Sequence, residues 1–118
     1  MELFDTTHSA LERAMHGASL RQATLAENLA NANTPRYQRR DVSFHDALRS
    51  ALVGGKEALE TVEVTPIVDT EAPLRADGSN VDVDREAAEL AKSGLEHEAL
   101  VTVARARTDI LRTAMGVA

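Results

Sequence analysis

Residues 29–38 read LANANTPRYQ, and the end of a long helix is written into them. Asn31 and Asn33 tolerate the left-handed backbone that closes helices. Pro35 has no amide N–H and drives Thr34 out of the helical region. Tyr37 is the only tyrosine in the chain, and it follows the break where it can fold back onto the last turn.

Working outward, residues 8–33 carry a helical pattern. Leu11, Met15, Ala18, Gln22, Leu25, Leu29 and Ala32 advance in alternating steps of four and three, the heptad signature of a helix packed along a seam. Ala10, Ala14 and Gly17 give a narrow neighbouring face where another backbone can approach. Thr6, Thr7 or Ser9 is the candidate N-cap, and Ser9 with Glu12 fits a capping box. Gln22 on the seam and Asn28 beside it read either as register-fixing polar groups at an interface or as solvated edge residues.

Beyond the stop, residues 42–53 (VSFHDALRSALV) predict a short helix with Phe44, Leu48 and Leu52 on one face and Ser43 as cap. Residues 54–80 differ in character. Gly54-Gly55, Pro66, Pro73 and the turn sequence DGSN (77–80) punctuate them. Val62, Val64 and Ile67–Val68 offer at most a strand or two, and the segment reads as acidic, exposed and mobile. From Asp84 the helical period returns through Ala88, Ala91, Leu95, Ala99, Val103, Ala106, Ile110, Ala114 and Val117, widened by Leu100, Ala104 and Leu111. Asp82 or Asp84 caps its start. Glu86 and Glu89 lie near the positive end of its dipole, and Arg105, Arg107 and Arg112 towards the negative end. Gly94 is its weak point, costing about 1 kcal/mol relative to Ala.

The expected architecture is mainly α: long N- and C-terminal amphipathic helices paired as a coiled-coil hairpin, with a short irregular middle and minor β at most. Its parts are residues 1–53 (helix, stop and short helix), 54–80 (acidic middle) and 81–118 (C-terminal helix).

Composition narrows the function classes. The 118 residues suit one domain or one helical module. Only 3% are aromatic, which favours close helix–helix packing over a thick core. The net charge of −6 is concentrated in residues 50–80, where Lys56 and Arg75 face six acids. No basic face suits a phosphate backbone, which argues against nucleic acid. There is no cysteine, hence no disulfide or thiolate metal site. The N-terminal MELFDTTHSALERAMHG has neither the basic region nor the apolar run of a cleaved signal, and no stretch is apolar enough to span a membrane. These features alone describe a soluble cytoplasmic protein.

Can two such helices stand alone? Burying Leu11, Met15, Leu25 and Leu29 contributes about 1.5–3 kcal/mol each at most, against roughly 1–2 kcal/mol of backbone entropy per ordered residue. The C-terminal stripe is also wider than one partner helix covers. The helices are therefore expected to complete their packing against other subunits. The candidate contact residues are Leu11, Met15, Ala18, Gln22, Leu25 and Leu29 on the first helix and Leu95, Val103, Ala106 and Ile110 on the last.

Two blocks carry a family resemblance. ASLRQATLAENLANANTPRYQRRDVSF (18–44) resembles the N-terminal signature of bacterial flagellar axial proteins, the rod, hook and hook-associated subunits, in which an amphipathic helix ends in an Asn-rich, Thr-Pro-Gly-Tyr-like stop. SNVDVDREAAELAKSGLEHEAL (79–100) resembles the Asn-Val-Asp entry to the C-terminal helix of small rod proteins. The short middle points within that family to proximal-rod proteins. The motif residues are Asn28, Asn31, Asn33, Thr34, Pro35 and Tyr37 in the first block and Asn80, Val81, Asp82 and Asp84 in the second. Three departures stand out. Arg36 occupies a usual glycine, leaving either a different turn or Asn33 to take the left-handed conformation. His97 replaces a usual aromatic, and Ser93-Gly94 a usual Asn-containing pair.

The resemblance implies a non-enzymatic structural subunit of the basal-body rod. It implies partners among other rod proteins, copies of itself, the adapter at the membrane-ring base of the rod, and the flagellar type III export apparatus. It also implies a periplasmic location reached without a cleaved signal, in place of the cytoplasmic reading, and assembly through the terminal helices into a drive shaft and export-channel wall. The Asn-Thr-Pro stop would then set the length of the inner helix and turn the chain outward. No cofactor and no direct membrane insertion are implied. The alternative is a cytoplasmic helical-hairpin regulator or chaperone with one protein partner.

Enzyme readings are weaker. His8 and His16 are two helical turns apart, and His45 and His97 belong to no His-x-x-x-His pair. The acids of SNVDVD lack the glycine and distal Glu of a calcium loop. No nucleophile elbow is present.

Overall fold

A computed structural model of the chain describes residues 2–116, and the side chains of residues 6–116. Six elements follow one another: α1 Glu2–Ala30, β1 Arg40–Asp41, α2 Phe44–Gly54, α3 Lys56–Thr61, β2 Ile67–Val68 and α4 Val83–Ala114. Helices α1 and α4 run antiparallel as a hairpin: Asn28 lies beside Glu86, Arg21 beside Glu89 and Ala18 beside Ser93. The remaining elements lie along one edge, giving a slab of 61 × 30 × 14 Å.

Helix α1 starts earlier than its capping side chains suggest. Thr6, Thr7 and Ser9 lie inside it, and Ser9 is buried rather than capping. Residues 2–8 hold no Pro or Gly, so propagation at one bond per residue runs past them. The other end matches expectation, because regular helix stops at Ala30 and tightens into turns through Asn31 and Ala32. Asp82 caps α4, its carboxylate accepting from the N–H groups of Asp84 and Arg85. Asp84 lies inside the helix.

In α2 the inward residues are Phe44 and Ala51, with Leu48 half-buried and Leu52 exposed; Ser43 precedes the helix without a side-chain cap bond. The Phe44 ring fills a notch left by Gly17: a Cβ there would lie 2.6 Å from the ring. Ala18 and Val42 complete this small core, flanked by Leu20, Val64 and Leu100. The middle segment is more ordered than its composition suggests. After the left-handed Gly55, α3 forms and buries Leu59 fully. Of the strand candidates, Ile67–Val68 pairs antiparallel with β1 (Arg40 opposite Val68, Asp41 opposite Ile67), while Val62 and Val64 stay irregular.

Helix α4 departs most from the sequence pattern. Its apolar stripe (Ala88, Ala91, Leu95, Ala99, Val103, Ala106, Ile110 and Ala114) is exposed throughout, and Val117 lies outside the described residues. The face towards α1 instead follows Glu86, Leu90, Ser93, His97, Leu100, Ala104 and Arg107, all buried or half-buried. That spacing is again four and three, but the seam it makes is partly polar.

Candidate functional site

The two sequence motifs meet at the closed end of the hairpin. Asn28 is fully buried on the last turns of α1. Its Nδ2 donates to the Arg40 carbonyl (2.6 Å) and to Glu86 (3.3 Å), and its Oδ1 accepts from the Arg40 N–H (3.0 Å) and the Tyr37 hydroxyl (3.3 Å). The amide thus pairs with the outer edge of β1 as a peptide unit of a third strand would. Asn80 does the same where the two-stranded ladder opens: the Arg39 N–H donates to its Oδ1 (2.6 Å), and its Nδ2 donates to the Asp69 carbonyl (2.8 Å). Both positions require a side chain that donates and accepts in one plane, which asparagine supplies.

Between the motifs, Thr34, Pro35, Arg36 and Tyr37 form a turn closed by the Tyr37 N–H on the Thr34 carbonyl (3.2 Å). Proline second and a positive φ third is the type II pattern. Arg36 holds that φ at 62°, so the strained residue is Arg36 itself and not Asn33. Its N–H donates to the Asp77 carbonyl (3.0 Å), tying the stop to the DGSN turn. Asn31 bonds the Glu27 carbonyl and the Thr34 hydroxyl. Val81 is fully buried behind the junction, while Asn33 and Asp84 are exposed.

A charged cluster underlies the asparagines. The Arg39 guanidinium is 3% exposed and contacts three carboxylates: Glu86 through Nε, Asp69 at 2.7 Å and Asp41 at 3.4 Å. Arg21 reaches from α1 to Asp41 (3.0 Å) and Glu89 (2.9 Å). Burial works to raise the Asp41 pKa, but Arg21, the Val42 N–H and Arg39 outweigh it and hold the carboxyl below its ordinary range. At Asp69 burial is likewise outweighed, by Arg39 and by the Glu71 and Ala72 N–H groups, and its pKa is also lowered. The Arg39 pKa, which burial alone would lower, is raised by Glu86, Asp69 and Asp41. Nothing in the sequence marks Arg39 or Asp69 for this cluster, and Glu86 reads there only as an acid near the positive end of the α4 dipole. Only the heptad spacing from Glu86 to Ser93, Leu100 and Arg107 hints at Glu86.

The model of the family described as flagella basal body rod protein matches residues 9–38, which contain the helix and the stop. The chain is 30% identical to the flagellar basal body rod protein FlgB of Bacillus subtilis, over 98% of this chain and 97% of that protein. The chain belongs to the FlgB family of flagellar basal body rod proteins. It is 32% identical to the Salmonella typhimurium FlgB over 78% of this chain and 80% of that protein. It is 30% identical to the Borrelia hermsii FlgB over 73% and 78%. As a FlgB-family member it is a structural subunit of the basal-body rod, assembling with other rod components, and nothing in these similarities favours a helical regulator.

In this FlgB-family chain the candidate contact residues divide into two groups. Ala18 and Leu25 are buried, and Leu11, Met15, Gln22 and Leu29 are half-buried, so the α1 stripe serves the hairpin's own seam. Leu95 (69% exposed), Val103 (53%) and Ile110 (69%) face away from α1, as does Ala106. Of the histidines, His8 pairs with Glu12 (3.4 Å), and His45 pairs with Glu96 while stacking on Phe44. Among the described residues no cluster of His, Asp or Glu is arranged to hold a metal ion, and no helix is long and apolar enough to cross a membrane.

Proposed function

We propose that the chain builds the proximal rod by laying the exposed stripe of α4 against copies of itself and other rod proteins. Leu95, Val103 and Ile110, displayed on one side of a helix whose other side is already committed to α1, carry this reading. Each contributes about 1.5–3 kcal/mol when fully covered, and apolar residues aligned along one exposed helix face mark an interaction surface. The rod so formed crosses the periplasm as a drive shaft and lines the export channel. Its base contacts the adapter at the membrane ring. The chain reaches it through the flagellar type III export apparatus.

The test is Val103→Glu with Ile110→Glu, introduced at the chromosomal locus. Both side chains are exposed, so the purified variant keeps wild-type helicity by circular dichroism. Swimming is lost, and electron microscopy of isolated basal bodies finds the membrane ring without its rod. Motile cells with complete rods would refute the assignment of this face.

A further inference from the structure

Helices α2 and α3 pack on α1 by one side, and the other side of α2, α3 and β2 is an exposed acidic edge. At the α2–α3 corner Leu52 is 47% and Val53 89% exposed, and Ile67 is 66% exposed on β2. Around them Glu57, Glu60, Glu63 and Glu71 are all exposed, with Lys56 the one basic group between residues 50 and 72. The outer face of α4 has the same mixed character with the opposite sign. Ile110 is exposed between Arg105 and Arg112, and on this outer side residues 99–116 hold these two exposed arginines against Asp109.

We infer that the acidic edge of one subunit seats on the basic C-terminal half of α4 in a second copy of this chain, a deepening that rests on the rod reading above. Charge selects this pairing over its alternatives. Edge against edge brings glutamates to glutamates, and α4 against α4 brings arginines to arginines, whereas edge against α4 joins opposite signs around apolar centres on both sides. Exposed ion pairs add little affinity individually, but they choose the orientation in which the apolar residues meet. A contact between two different faces of one protein does not close on itself as a two-fold dimer does; it repeats and generates a ring or an open helical array. The middle segment would thus be an assembly surface in its own right, with Val53 and Ile67 as its apolar contacts.

Because the chain has no cysteine, single introduced thiols report the contact directly. Full-length Val53→Cys and Ile110→Cys chains, treated with a short bismaleimide, are expected to cross-link to a dimer when mixed and not when treated separately. Adding Arg105→Glu and Arg112→Glu to the Ile110→Cys chain abolishes the product, and adding Glu57→Lys and Glu63→Lys to the Val53→Cys chain restores it. A mixture that cross-links no better than either variant alone overturns the inference, whether both stay monomeric or each pairs with itself. Failure of the cross-link in a chain whose Val103→Glu, Ile110→Glu form still loses rods would remove this pairing and leave the rod assignment standing.

Discussion

Asn28→Asp exchanges one amide donor for an oxygen and tests the junction with almost no change of shape. In the native chain Nδ2 satisfies the Arg40 carbonyl at 2.6 Å and faces Glu86 at 3.3 Å, at a residue without solvent exposure. The substitution leaves the Arg40 carbonyl without its donor and brings a second carboxylate against Glu86. A buried polar group stripped of its partner costs about 1–3 kcal/mol. With a like charge added in the same place, the loss should reach at least about 3 kcal/mol, a large part of the 5–15 kcal/mol typical of a whole domain.

The sign of its pH dependence separates this mechanism from simple loss of packing. The introduced carboxyl sits beside Glu86 in a dry site, so its folded pKa rises well above the ordinary value near 4. A group with a raised folded pKa is destabilising once ionised, so the penalty is largest at pH 7 and shrinks as the pH falls towards 4.5. Urea unfolding of the full chain, followed by helicity at pH 7 and pH 5, reads both quantities. A loss under 1 kcal/mol at pH 7, or one that does not shrink at pH 5, would refute the clamp. Asn28→Leu, which orphans the same backbone groups without adding charge, should be destabilised about equally at both pH values.

Arg36→Gly removes a left-handed non-glycine residue, a conformation costing about 1–2 kcal/mol, against about 0.4–1 kcal/mol of added unfolded-state entropy; a net stabilisation of roughly 0.5–1 kcal/mol should appear as a raised thermal midpoint. Gly17→Ala forces a Cβ to within 2.6 Å of the Phe44 ring and should destabilise by about 1–3 kcal/mol, with a double-mutant cycle against Phe44→Leu recovering part of the loss. Asp41 and Asp69 titrate lower in the folded than in the unfolded chain, so their contribution is intact at neutral pH and is lost as the pH falls below about 4. Asp69→Asn keeps an oxygen for the Glu71 and Ala72 N–H groups and should make that acid decline shallower in urea titrations.

The stop after Ala30 is legible in sequence because it is local chemistry: asparagines, a proline and one turn decide it within eight residues. Even there the strained position is not legible in the residues alone. Pro35 at the second position suits a type I or a type II turn, and only the type II form adopted here places a positive φ on the third residue, Arg36. Helix α3 has a single buried side chain, Leu59, and six residues are too few for a periodic signal. The inward face of α4 could not be read from hydrophobicity. Glu86 and Ser93 are its buried residues, and their partners are Arg39 and the Ala18 carbonyl, 47 and 75 residues away. Periodicity ranks such positions as outward, although each is satisfied where it lies.

That inversion explains how a hairpin with a thin core keeps its register. Among the described residues, the buried apolar side chains of α1 are Ala14, Ala18 and Leu25, few and mostly small groups that would pack almost as well after a slip of one turn, or 5.4 Å. The polar contacts would not survive it. Glu86 on Arg39 and Asn28, Glu89 on Arg21, and Ser93 on the Ala18 carbonyl succeed one another along two turns of α4. A slip of one turn strands all of them at once. Buried polar contacts of this kind add little net stability against well-packed apolar substitutes but penalise every misalignment. In a rod subunit that penalty has a purpose beyond the monomer. On the assembly proposed above, the exposed stripe of α4 would meet its neighbours only with its height and rotation relative to the Asn-Thr-Pro stop fixed beforehand. The polar junction fixes both without using the apolar stripe of α4, which stays exposed on the other side of the helix.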